Sequence, residues 1–115
     1  KLFKQRLLMN SYVDHVAFNV ENIDWYSNIF REVFGMNIKK TVGESPNRKV
    51  WFVGGIQLNE CTNDIKDKRF DHVAIVVDNI EKAIELLYQR GCMISGRGRN
   101  WIQLPNKVLI ELLEE

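Results

Sequence analysis

The chain contains two histidines, and both stand in the same four-residue sequence. Asp-His-Val-Ala occurs at residues 14–17 and again at 71–74, about half of the 115-residue chain apart. Seven of the ten positions from Asp14 to Ile23 are identical to those from Asp71 to Ile80. A repeat of this length indicates one supersecondary unit used twice. Because imidazole is the commonest protein ligand for transition metals, the paired histidines predict one metal site built from both halves.

The last strand predicted in each half carries one polar residue between two apolar ones. These residues are Gln57, in Ile-Gln-Leu, and Glu111, in Ile-Glu-Leu. Period-two alternation places them on the same strand face as His15 and His72. A lone strand histidine is more often a core or surface residue than a ligand. A glutamate inside an apolar run is more informative, because burying an unpaired carboxylate is costly. The matched placement of all four predicts one divalent ion as cofactor: Zn, Ni, Co, Mn or Fe(II).

The elements that would position these residues recur in the same order in each half. An alternating strand leads to an Asn that can cap a helix, the helix ends at a glycine, and three strands follow. The capping residues are Asn22 and Asn79, and the terminal glycines are Gly35 and Gly91. The last two strands are joined by a two-residue turn at Gly54-Gly55 in the first half and by residues 105–107 in the second. The predicted fold class is therefore α+β, with two tandem βαβββ modules forming a curved sheet around a metal site.

Composition is that of one globular domain. Apolar residues make up 45% of the chain, charged residues 27%, and the net charge is +1, so nothing indicates nucleic acid or a membrane as partner. Cys61 and Cys92 lack metal or redox spacing and fit a cytoplasmic protein. We assign the domain to residues 11–115, with modules 11–61 and 70–115 and a polar linker at 62–69. Residues 1–10 are an N-terminal extension, native or left from expression.

The chain resembles the vicinal oxygen chelate superfamily, which includes glyoxalases, bleomycin resistance proteins and extradiol dioxygenases. The resemblance covers residues 11–115 and is carried by residues 14–17, 29–36 and 107–112. It implies two βαβββ modules around a metal held by His15, Gln57, His72 and Glu111, and a homodimer. Bacterial glyoxalase I has glutamate at the position of Gln57. The set found here is more similar to that of methylmalonyl-CoA epimerases.

The resemblance implies a metal-dependent glyoxalase I-like lyase or isomerase acting on a small α-oxo or hemithioacetal substrate through an enolate. Glu111 is the candidate catalytic base, since it is the only carboxylate of the four. Alternatives are a methylmalonyl-CoA epimerase-like enzyme, an antibiotic-modifying thiol transferase, a dioxygenase, and a non-catalytic small-molecule binding protein. Candidate pocket residues are Phe52, expected opposite Gln57; Trp101, expected opposite Glu111 if the loop 105–107 has three residues; and Arg99, which would meet an anionic substrate unless it is a solvated turn residue.

Overall fold

The computed structural model describes residues 10–62 and 68–115. The expectations for residues 1–9, and for positions 63–67 of the linker, lie outside the described residues. The chain divides into a first unit, residues 14–73, and a second unit, residues 10–13 and 74–115. Among the described residues, no helix has the length and apolar content needed to span a membrane.

The first unit contains one helix against a four-stranded arrangement in the order β2-β3-β4-β1. β1 pairs with β4 in parallel, and the β2-β3 and β3-β4 pairs are antiparallel. Its elements are β1 (Ser11–Val20, of which residues 14–20 lie in this unit), α1 (Ile23–Asn28), a π-helical turn (Ile29–Val33), β2 (Ile38–Val42), β3 (Lys49–Phe52) and β4 (Ile56–Glu60).

The first helix begins at the predicted cap. The Asn22 side chain accepts a hydrogen bond from the backbone N–H of Trp25 at 3.2 Å, which satisfies one of the donors that open a helix. The sequence predicts regular α-helical spacing as far as Val33, but a bond from Phe34 N–H to Ile29 O (3.3 Å) widens the last turn. The apolar spacing of the sequence also predicts that Val33 lies on one buried helix stripe with Ile23 and Phe30. This expectation is wrong, and the Val33 side chain is exposed.

The second unit repeats this plan in the strand order β5-β8-β7-β6. Asn79 caps its helix by accepting from Lys82 N–H at 3.0 Å. The elements are β5 (Phe70–Val77, of which residues 74–77 lie in this unit), α2 (Ile80–Gln89), β6 (Met93–Ile94), β7 (Trp101–Gln103), a 3₁₀ turn (Pro105–Lys107) and β8 (Leu109–Glu114). The predicted α+β class with two tandem βαβββ modules is confirmed.

The hairpin between β3 and β4 differs from its prediction. The loop has three residues, Val53, Gly54 and Gly55, and both glycines have positive φ (118° and 95°), a region that favours glycine. One extra residue shifts every cross-strand pair by one position. Phe52 therefore lies opposite Ile56 and packs in the core with Val20, Ile23, Val50 and Leu58. Its predicted place opposite Gln57 is wrong.

An ion-pair network joins β4 to the loop before β3 and to the first helix. Glu60 accepts from Arg48 at the backbone N–H (3.0 Å) and at Nε (3.1 Å), and from the Ser45 hydroxyl (2.9 Å). Arg48 also donates to both carboxylate oxygens of Asp24. These bonds lower the pKa of Glu60 from 4.5 to about 2, mainly through the Arg48 side chain, and raise the pKa of Arg48.

The network predicts acid sensitivity. A carboxyl whose pKa is lowered by folding stabilises the native state above its unfolded pKa and loses that contribution as pH falls toward its folded pKa. The contribution of Glu60 should be complete above pH 4.5 and disappear as pH falls from 4.5 to about 2. In acid titrations followed by circular dichroism, Glu60→Gln should flatten this part of the stability curve, and Glu32→Gln, at an exposed site, should not. Equal curves for wild type and Glu60→Gln would contradict the prediction.

Candidate metal centre

Each histidine is oriented by the aspartate that precedes it. His15 Nδ1 lies 2.8 Å from Asp14 Oδ2, and His72 Nδ1 lies 2.6 Å from Asp71 Oδ2. Both rings are buried, with exposures of 8% and 3%. A carboxylate can only accept a hydrogen bond from a ring N–H, so each Nδ1 carries a proton, and Nε2 is the ring atom of each histidine that could bind a metal. This carboxylate–imidazole arrangement is the one that orients histidine ligands in metal sites.

The two Nε2 atoms converge on one point. They lie 3.4 Å apart, and the rings are nearly perpendicular, with an interplanar angle of 80°. Two lone pairs at this distance repel each other unless a proton or a cation lies between them. Zinc binds imidazole nitrogen at about 2.0–2.1 Å, and two such ligands at a tetrahedral angle are about 3.4 Å apart. The histidine pair therefore fits a divalent ion in both its donor atoms and their separation.

Gln57 lies on the same sheet face as His15. The register pairs Gln57 with Ala17, and His15 is two residues before Ala17, which is the spacing that returns a strand to the same face. The Gln57 side chain is buried, and its Nε2 donates to Asn59 Oδ1 at 2.7 Å. Because the amide nitrogen is directed to Asn59, Oε1 is the atom of Gln57 that can bind a metal.

Glu111 belongs to the second unit. It is half-buried on β8, between the buried residues Ile110 and Leu112, and lies opposite Trp101 as predicted. Its carboxylate therefore shares a sheet face with an indole ring. Its role as the fourth ligand remains a prediction from the sequence.

Trp51 is a neighbour of Gln57 on the sheet that the sequence prediction missed. With the three-residue loop, Trp51 and not Phe52 lies opposite Gln57. Its ring is half-buried with Lys40 Nζ 5.4 Å from the centroid, and Trp101 has the Arg97 guanidinium at 5.1 Å in the same way. Each module thus sets a tryptophan with a stacked cation opposite its polar last-strand residue. The internal repeat could have predicted this position, because Trp101 opposite Glu111 in the second module implies a matching residue opposite Gln57 in the first.

Arg99 does not have the expected environment. Both of its terminal nitrogens bind the carboxylate of Glu81 at the start of α2, and both side chains are exposed. This pairing raises the pKa of Arg99 and lowers that of Glu81. Its charge is already matched by Glu81, so the alternative of an ordinary surface residue describes it better than the role of anion receptor.

The carboxylate–imidazole pairs predict a specific loss of metal affinity. Asp71→Asn keeps the shape of the side chain but removes the charge that orients and polarises His72. Zinc affinity, measured by competition with a chromophoric chelator, should fall about 10–100-fold, the usual effect of losing such a partner. Asp78→Asn, a surface aspartate that accepts from Asn10, should leave it unchanged. Equal affinities for wild type and Asp71→Asn would contradict this role.

No family model and no curated protein matches the chain. Several solved structures do. Methylmalonyl-CoA epimerase from Mycobacterium tuberculosis is similar at 21% identity with a TM-score of 0.65, over 89% of this chain and 86% of that one. The Mn(II)-bound glyoxalase from Novosphingobium aromaticivorans is similar at 19% identity and 0.65, over 89% of this chain and 38% of that one.

A third similar structure is the 2,3-dioxygenase LapB from Pseudomonas sp. KL28, at 17% identity and a TM-score of 0.67, over 90% of this chain and 42% of that one. The glyoxalase and the dioxygenase are thus more than twice as long as the matched region, whereas the epimerase is matched over most of its length. At these identities the likeness concerns the fold. The chain has the fold of the vicinal oxygen chelate superfamily.

Proposed function

We propose that the protein is a divalent-metal-dependent enzyme that moves a proton on a carbon next to a carbonyl group, with His15, Gln57, His72 and Glu111 as metal ligands. The observation that carries this proposal is the pair of buried imidazoles, each fixed by an aspartate, with Nε2 atoms 3.4 Å apart. Two buried imidazoles that face each other through Nε2 are the arrangement expected of two ligands to one ion. The Mn(II) in the similar glyoxalase structure agrees with the proposal.

The residues divide the work by their chemistry. Asp14 and Asp71 hold the Nδ1 proton of each imidazole, so that a metal at Nε2 would meet a neutral ring, and Gln57 contributes a neutral amide oxygen. Glu111 is then the only anionic ligand, so a divalent ion in this set keeps a net charge of +1. Such an ion would act as a Lewis acid toward an oxyanion of the substrate.

Glu111 is the proposed catalytic base. Its carboxylate accepts the proton from the carbon next to the substrate carbonyl, and the electron pair of the broken C–H bond moves to the carbonyl oxygen as an enolate. Return of this proton from Glu111 to the neighbouring carbon gives isomerisation. Epimerisation would instead require a second acid to deliver a proton to the opposite face of the same carbon, while Glu111 keeps the proton it removed. Gln57 has no titratable group in this range, so it can bind and orient but cannot exchange the proton.

The substrate class that we favour is a small α-oxo or hemithioacetal compound, as for glyoxalase I. The second candidate is an epimerase acting on a thioester, and two observations favour it. Position 57 is glutamine, as the resemblance to methylmalonyl-CoA epimerases implies, and the chain matches 86% of the length of the solved epimerase. The ring of Trp51 under Lys40 would then flank the substrate beside Gln57.

The proposal predicts a separation of metal binding from catalysis. Glu111→Gln preserves the shape of the side chain and one ligating oxygen but removes its ability to accept a proton. We expect the variant to retain most of its zinc or manganese and to lose about 10²–10⁴-fold in turnover, the usual effect of losing a general base. Metal content would be measured by elemental analysis after reconstitution, and turnover with hemithioacetals and with methylmalonyl-CoA.

The His15→Ala/His72→Ala double variant is the matched control, since it should lose metal and activity together. Two results would contradict the proposal. One is equal, sub-stoichiometric metal in the wild type and the histidine variant. The other is a metal-loaded wild type that converts neither substrate, in which case a non-catalytic binding protein becomes the better explanation.

We also propose a homodimer. β2 is the terminal strand of the first unit, all five of its residues are exposed, and they include Ile38 and Val42. Exposed edges of this kind need a cover, and Trp25 adds a 57% exposed indole to the same unit. In light scattering at high micromolar concentration we expect twice the 13.5 kDa chain mass. A species of 13.5 kDa would exclude the dimer.

A further inference from the structure

A row of amide side chains leads from Gln57 to the aspartate that holds His72. Gln57 Nε2 donates to Asn59 Oδ1 (2.7 Å), Asn59 Nδ2 donates to Asn19 Oδ1 (3.2 Å), and Asn19 Nδ2 donates to Asp71 Oδ1 (3.2 Å). The other oxygen of Asp71 receives His72 Nδ1. Two candidate ligands on different strands are therefore connected through Asn59, Asn19 and Asp71, a set that we call the amide relay.

The direction of the amide relay is fixed at its Asp71 end. Asn19 Nδ2 faces two groups that can only accept, the Asp71 carboxylate and the backbone carbonyl of Lys68 at 2.7 Å. The side-chain oxygen of Asn19 must therefore face Asn59, and the Asn59 amide nitrogen must donate a hydrogen bond to it. The oxygen of Asn59 then faces position 57. Only a side chain that donates at position 57 completes the relay.

We infer that Asn19 and Asn59 are positioning residues which require glutamine, and exclude glutamate, at position 57 of the metal centre. The inference rests on the proposed metal-binding function of this site. A glutamate at position 57 would set an acceptor against Asn59 Oδ1. Rotating the Asn59 amide would only move the conflict to Asn19 Oδ1, since both atoms would then be acceptors. Position 57 is buried, and leaving a buried polar group unsatisfied costs more than an ordinary hydrogen bond contributes.

The second module supports the inference independently. Its last-strand residue is Glu111, and the positions that match Asn19 and Asn59 are Val76 and Leu113, neither of which can form a relay. Within residues 14–23, the three differences from residues 71–80 are Phe18 against Ile75, Glu21 against Asp78, and Asn19 against Val76. Only the last replaces a polar side chain with an apolar one. The amide ligand and the amide relay therefore occur together in one module, and both are missing from the other.

The internal repeat supplies the variants for the test. Asn19→Val and Asn59→Leu install the residues of the second module in the first. Each should weaken zinc binding about 10–100-fold, because the Gln57 oxygen loses its fixed direction. Gln57→Glu alone should also weaken zinc binding, although a carboxylate is ordinarily the stronger ligand. In the Asn19→Val/Asn59→Leu background the same exchange should strengthen it. Gln57→Glu variants that bind zinc more tightly in both backgrounds would overturn the inference.

A measurement on the metal-free protein separates this inference from the proposed function. The side-chain NH₂ signals of Gln57 should show slow hydrogen exchange in the wild type and faster exchange in Asn19→Val, although Asn19 does not contact Gln57 in the relay. Asn100→Leu, which removes an amide that donates to Leu112 O, is the control and should leave them unchanged. Unchanged Gln57 signals in Asn19→Val would refute the amide relay. Relay signals as expected with no zinc binding by the wild type would refute the proposed function and leave the relay in place.

Discussion

The approach of two buried imidazoles to 3.4 Å is the constraint on which the first unit depends. Two imidazole nitrogens at this distance repel each other unless a proton or a cation lies between them. Each ring must therefore keep its other proton at Nδ1, so that Nε2 faces the second ring. Asp14 and Asp71 hold these Nδ1 protons by direct contact. They can do so because each aspartate immediately precedes its histidine in the chain. The Asp-His hydrogen bond is therefore local to one strand.

Strand geometry does the remaining positioning. The parallel pairing of β1 with β4 aligns Ala17 with Gln57, and the antiparallel pairing of β3 with β4 aligns Gln57 with Trp51. Apolar residues on the other face, including Phe52 and Leu58, form the core beneath the helix. These strands thus have a polar face with the histidines and amides and an apolar face that packs against the helix. This explains why Asn and Gln occur among branched apolar residues in them.

The features that the sequence predicted are those that depend on short spacings. The repeated Asp-His pair, the Asn caps and the terminal glycines involve residues at most a few positions apart, and all are where they were expected. The sheet face predicted for Phe52 was wrong because the register of a hairpin depends on the length of its loop. The Gly54-Gly55 sequence is compatible with a loop of two residues and with a loop of three. The hydrogen bonds of Asn19 and Asn59 join residues on different strands, and the π-helical turn rests on the bond from Phe34 N–H to Ile29 O. No apolar spacing in the sequence indicates either feature.

The unequal modules bear on the history of the chain. A duplication produces identical halves, and two copies of the first module would supply four neutral ligands and no base, whereas two copies of the second would supply two carboxylates. If Gln57 requires Asn19 and Asn59, the substitutions that separated the halves were epistatic, since no single exchange among these three positions improves the site on its own. An ancestor with Val76-like and Leu113-like residues in both halves could vary more freely at its last-strand position. The present first module is therefore the one in which a change from glutamine to glutamate at position 57 is opposed by its neighbours.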